Sequence, residues 1–162
     1  MVNESVKIGI AEFKIARTPI SIITTGLGSC VGVCLWDPII KIGGMVHIML
    51  PDSKQGRNVL NRAKYADSGI ELLIEELCKN GAQKSRLVAK IAGGAQMFNF
   101  PNANKTMKIG NRNIVAVKNT LKFYKIKLLA EDIGGNYGRT IEFFTKNGQL
   151  LVKSICKGVK VI

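Results

Sequence analysis

The chain of 162 residues contains one histidine, so any step that needs an imidazole near neutral pH falls to His47. Of its four cysteines, Cys34, Cys78 and Cys156 lie in apolar, periodic stretches, where a cysteine acts as a small core hydrophobe. Cys30 differs, because it follows Gly26-Leu27-Gly28-Ser29 and is itself followed closely by Gly32. A thiol beside an imidazole is a nucleophile with its own proton acceptor. A free thiol, with a pKa of about 8.5, is mostly protonated at neutral pH, and a neighbouring imidazolium favours the thiolate. The imidazolium can then hand its proton to a leaving amine. Gly26, Gly28 and Ser29 let the backbone come close to a substrate. Their amides, with that of Cys30, are candidates to hold a developing oxyanion. A third group that accepts a hydrogen bond from the imidazole would set its tautomer, and Thr24 and Thr25 are the nearest residues for that role.

Strands must bring these groups together. Ile20 to Thr25 is rich in β-branched residues and reads as a strand entering the glycine turn. Cys30 to Trp36 reads as the next strand, Asp37-Pro38 opens a turn, and Ile42 to Leu50 returns as another, stopped by Pro51. A turn that sets Asp37 opposite Ile40 places Cys30 directly across the hairpin from His47, with Cβ atoms about 4.5–5.5 Å apart. A loop of two or four residues is expected to give this register, and one of three or five residues to turn the side chains to opposite faces, because the side-chain period is two.

The rest of the chain supplies the support. Residues 5–15 alternate and read as one strand, and residues 52–63 read as a polar surface loop. The spacing of Ala66, Ile70, Leu73, Ile74, Leu77 and Cys78 predicts a helix from Tyr65 to Asn80, with Gly81 as its C-terminal cap. Arg86 to Ala92 reads as a strand, Asn111 to Tyr124 as a second helix and Lys127 to Ile133 as a strand. Thr140 to Thr145 and Gln149 to Cys156 read as a hairpin joined through Asn147-Gly148. No repeat, low-complexity tract or linker interrupts the chain, so residues 1–162 are expected to form a single domain. About eight strands and two long helices predict an α+β layered fold, with mainly antiparallel strands and both helices on one face.

Lys and Arg number 24 against 11 Asp and Glu, a net charge of +13, which favours acidic partners. The densest cluster, Lys118, Lys122, Lys125 and Lys127 around Phe123 and Tyr124, reads as a solvated face. No nucleic-acid motif accompanies it, so no nucleic-acid partner is expected. No C-x-x-C occurs and His47 has no finger-like spacing to a cysteine, so no zinc site, other metal or cofactor is expected. The apolar runs, such as Met45 to Leu50, are too short to cross a bilayer, and the amino end lacks an apolar signal core. A cytoplasmic protein without membrane insertion or a disulfide framework is expected, and nothing demands more than a monomer.

The segment TTGLGSCVGVCLWDPIIKIGGMVHIMLP, from Thr24 to Pro51, resembles the signature of the CheD family of chemoreceptor glutamine deamidases. In that family a G-L-G-S-C turn precedes a hairpin that ends in G-G-x-x-H-x-x-L-P. Similar stretches follow at Tyr65, at Gly93-Gly94-Ala95 with Met97-Phe98, at Ile109-Gly110 with Arg112-Asn113, and at Asp132-Ile133-Gly134-Gly135 with Gly138-Arg139. The resemblance implies an α/β/β layered sandwich, with Cys30 as nucleophile, His47 as general base and acid, and Thr24 completing the triad. It implies hydrolysis of receptor glutamine side chains to glutamate through a thioester, and extends to receptor glutamyl methyl esters. The partners it implies are the cytoplasmic helices of methyl-accepting chemotaxis receptors and a CheC-type phosphatase of the response regulator. Docking and stimulating that phosphatase is the alternative function. Residues 52–63 and 93–113 are expected to wall the site, with Met97, Phe98 and Met107 forming an apolar groove.

Overall fold

The computed structural model describes residues 4–56, 60–97 and 108–162. Its strands are β1 (Ser5–Ile8), β2 (Phe13–Arg17), β3 (Ser21–Leu27), β4 (Val31–Asp37), β5 (Ile42–Ile48), β6 (Val88–Gly93), β7 (Lys127–Ile133), β8 (Arg139–Phe144), β9 (Leu150–Ser154) and β10 (Gly158–Val161). The long helices are α1 (Ala66–Lys79) and α2 (Ile109–Phe123). One sheet has the order β1-β3-β8-β9-β10 and the other β2-β5-β4-β6-β7. Only β1–β3 and β6–β7 pair in parallel, and the remaining pairs are antiparallel. This is the expected α+β layered architecture, with two sheets of five strands.

Two apolar clusters define the layers. Val31, Val33 and Leu35 of β4, with Ile42, Val46 and Ile48 of β5, pack against Ile70, Leu73 and Leu77 of α1 and Val117 and Leu121 of α2. The opposite faces of the same strands send Cys34 and Met45 towards Ile22, Ile141 and Phe143 of the other sheet. The helices therefore cover one sheet, and the second sheet covers its other face. The α1 stripe ends at Gly81, whose φ of +101° suits glycine and lets Ala82 return its amide to Leu77 O at 3.1 Å.

Four expectations need correction. Residues 5–15 are not one strand: the chain turns at Gly9–Glu12, with Ala11 at φ 60°, and β1 and β2 enter different sheets. The last hairpin has a four-residue loop, residues 145–148, closed by Phe144 and Gln149, and a further strand, β10, follows β9. The loop between β4 and β5 is residues 38–41, which pairs Asp37 with Ile42 and not with Ile40. Finally, Cys34 is buried as expected, but Cys78 and Cys156 are exposed. Leu77 takes the inward position at the end of α1, and Cys156 falls in the turn before β10.

Asp37 locks the β4–β5 loop. Its fully buried carboxylate takes the Arg86 guanidinium in a two-pronged pair, with Nη2 at 2.7 Å, and the amides of Ile39 and Gln83 at 3.0 Å each. Burial opposes its ionisation, but these donors prevail and hold its pKa below the usual carboxylate value. No described helix is long and apolar enough to cross a membrane.

Candidate active site

Strand parity decides which side chains meet. On β5, Met45 faces the space between the sheets, and His47 follows it by two. On β3, Ile22 faces that space and Thr24 follows by two. Cys30, just before β4, belongs to the same apolar cluster as Ile22 and Met45. The three expected residues thus share one inter-sheet space. The hairpin register sets His47 opposite Gly32, so Cys30 lies diagonally from it and not directly across. The four-residue loop shifts the pairing by two, which preserves the common face. Diagonal neighbours lie about 7–8 Å apart, and no hydrogen bond joins Cys30 to His47 Nε2 in this arrangement.

Thr24 Oγ1 lies 2.7 Å from His47 Nδ1 and 2.9 Å from the carbonyl oxygen of Ile8. The hydroxyl has one proton, and the carbonyl can only accept it. Thr24 therefore donates to Ile8 and accepts from Nδ1–H. In the neutral ring this leaves Nε2 with its lone pair, buried and without a hydrogen-bond partner. Thr25, the other candidate from spacing, is exposed and does not serve.

Burial sets the protonation of both groups. It pushes the Cys30 thiol up and the His47 imidazole down to about 4, with the charge of Glu12 partly opposing the second shift. Both shifts favour the uncharged forms of the two groups. Either ion formed there would lose hydration between the sheets, a cost that opposes the thiolate–imidazolium pair expected from spacing. A threonine in third place orients the ring without the negative charge that would raise its pKa.

The turn before β4 is held by its carbonyls. Gly28 O accepts from Ala95 N at 2.8 Å, Ser29 O from Asn113 Nδ2 at 2.9 Å, and Cys30 O from Gly94 N at 2.8 Å. Gly93 makes that approach possible, since a Cβ there would sit 2.3 Å from Cys30 O. Gly26, at φ +70°, supplies the bend that ends the β3 pairing with Thr24 and Leu27 out of step. Gly28 and Ser29 are partly exposed beside Cys30, as a substrate-facing turn requires.

Around the turn, Met49 and Met97 are 39% and 43% exposed, and a Cβ on Gly28 would meet Met97 Cγ at 3.1 Å. Met97 thus borders the site, whereas Phe98 and Met107 lie outside the described residues. Residues 52–63 contribute two short turns, Ser53–Gln55 and Arg62–Lys64, with residues 57–59 outside the described ones. Lys118 of the basic cluster pairs with Glu131 at 2.9 Å, and Lys122, Lys125 and Lys127 are exposed. Among the described residues, no group of three or more His, Cys, Asp or Glu gathers as a metal site would require. Asn113 falls in a stretch that resembles the family and in the expected wall 93–113, but sequence assigned it no role. Its signal was a polar residue on the inward stripe formed by Gly110, Ile114, Val117 and Leu121.

Residues 49–154 match the family model CheD, described as CheD chemotactic sensory transduction. Across its whole length the chain is similar to proteins called "Probable chemoreceptor glutamine deamidase CheD". The one from Syntrophomonas wolfei is 56% identical over 160 residues, covering 99% of each chain. That from Caldanaerobacter subterraneus is 51% identical over 162 residues, and that from Clostridium novyi 49% over 162, each covering 100% of both chains. The family model begins after His47, but these relatives span the site as well.

Proposed function

Since the chain belongs to the CheD family, we propose that it converts glutamine side chains of chemoreceptors to glutamate, using Cys30, His47 and Thr24. The observation that carries this reading is the Thr24 relay. With its proton committed to Ile8 O, Thr24 holds the ring with Nε2 bare, buried and without a hydrogen-bond partner. That is the state a general base needs before a neutral thiol.

The steps follow in order. His47 Nε2 takes the Cys30 proton as Sγ bonds to the side-chain carbonyl carbon of a receptor glutamine. The Cys30 and Ser29 amides face the oxyanion that forms. The imidazolium then gives its proton to the amide nitrogen, the C–N bond breaks and ammonia leaves a thioester. Nε2 next deprotonates a water, hydroxide adds to the thioester carbonyl, and the departing sulfur recovers the proton. One glutamine and one water become one glutamate and one ammonia. A glutamyl methyl ester enters the same thioester by losing methanol. The exposed Met49 and Met97 form an apolar rim for a receptor helix. A CheC-type phosphatase is proposed to use the same rim, as the family resemblance implies.

A receptor cytoplasmic fragment incubated with the protein should release ammonia, with glutamate appearing at former glutamine positions in mapped peptides. Unchanged glutamines and no ammonia would overturn the reading. Thr24→Val keeps the shape of the side chain but leaves Nδ1 without its acceptor. Its deamidation rate should fall about tenfold to a hundredfold, part of what a positioned base contributes. Thr24→Ser should retain most of the rate, and a full rate in Thr24→Val would contradict the relay.

A further inference from the structure

We propose that Asn113 is a positioning residue that aims the Cys30 amide at the oxyanion, an inference that rests on the deamidase reading above. Asn113 lies on α2 and is fully buried. Its Nδ2 donates to Ser29 O at 2.9 Å and to Met49 O at 3.0 Å. Those carbonyls belong to the residue before Cys30 and to the residue two beyond His47. The β4–β5 ladder ends at Val31 and Ile48, so one side chain ties the two arms together where their own pairing stops.

The consequence for Cys30 comes from peptide geometry. Ser29 C=O and Cys30 N–H share one planar trans peptide and point in opposite directions. Drawing the carbonyl towards Asn113 turns the N–H away from α2. Gly94 N donates to Cys30 O, but among the described residues the reciprocal bond from Cys30 N to Gly94 O is not formed. The Cys30 amide is thus fixed in direction and has no acceptor there, which is what an oxyanion donor requires. The orientation of Asn113 is also determined, since both of its partners are carbonyls and only Nδ2 can face them. Its Oδ1 is left buried without a partner. Such an acceptor costs stability, and an apolar residue on this stripe would avoid that cost.

The test uses Asn113→Ala and Asn113→Leu, the second close to the native side chain in size but offering no donor to the two carbonyls. Two rates are compared in each variant: deamidation of a receptor fragment, and alkylation of Cys30 by iodoacetamide, followed by peptide mapping. Alkylation displaces iodide at a methylene carbon and forms no oxyanion. The expected result is a fall in kcat for deamidation of about a hundredfold to a thousandfold, the range for losing one oxyanion donor, with KM little changed. Cys30 alkylation should stay within about twofold of wild type at every pH, because thiol ionisation is set by its own surroundings. A near-wild-type kcat would overturn the proposal. So would alkylation that falls in step with deamidation, or loss of the folded state in both variants, since each marks a general support of the fold. Failure of the wild-type protein to convert any receptor glutamine would instead remove the deamidase reading itself.

Discussion

Cys30→Ala should leave receptor glutamines unconverted, with deamidation lowered on the order of 10⁴-fold or more, as for other enzymes deprived of their nucleophile. The size of the effect follows from the lack of a substitute. Cys34 is the nearest other thiol in sequence, but it is fully buried and burial pushes its pKa far above the ordinary thiol range. Cys78 and Cys156 are exposed, one at the end of α1 and the other before β10, away from the inter-sheet space. The variant should stay folded, because removing one sulfur from a site at the cluster's edge costs little against the packing of two layers. Ammonia release and thermal melting measured on the same sample separate the two effects. An unchanged melt with lost turnover is expected. Turnover within tenfold of wild type would contradict the nucleophile assignment.

His47→Gln should act on both rate and stability. The rate of deamidation should fall about 10²–10⁴-fold, the contribution of a positioned acid–base group, because the amide of glutamine cannot carry the proton. The stability effect depends on pH, and its sign follows from burial. The folded imidazole has its pKa lowered from 6.5 to about 4. Between those values the unfolded chain binds a proton that the folded chain does not, so stability falls as pH drops from 6.5 towards 4 and levels off below. The loss from this one group is at most about 3 kcal/mol, at 1.36 kcal/mol per pKa unit. Asp37, whose folded pKa is lowered, also costs stability on acidification, but both proteins retain it. The difference between wild type and His47→Gln in denaturant titrations at pH 7 and pH 4 therefore isolates the imidazole. Wild type should lose more stability than the variant over that interval, and equal losses would show that His47 is not held neutral.

Much of the site was legible because strand parity survives errors of register. The two-residue and four-residue loops after Asp37 both keep Cys30 and His47 on one face, although the observed pairing sets Gly32 opposite His47. Spacing left Thr24 and Thr25 open, since adjacent residues differ only in the face they present. Burial of Thr24 and exposure of Thr25 resolves this, and no local sequence signal encodes it. The break at Ala11 was illegible for a similar reason, since its left-handed backbone is imposed by β1 and β2 joining different sheets. The loss of hydration that opposes both ions follows from burial between the two sheets, which no local spacing encodes. Asn113 reaches Ser29 O, 84 positions away along the chain, only after α2 packs on the sheet.

A thioester between Cys30 and the receptor side chain is the species that every proposed step requires. Acid quenching during turnover, followed by peptide mapping, tests it most directly. The expected result is a Cys30 peptide joined to a receptor peptide with loss of ammonia, absent in Cys30→Ala. An acyl adduct on any other residue, or glutamate formed by Cys30→Ala at the wild-type rate, would contradict it.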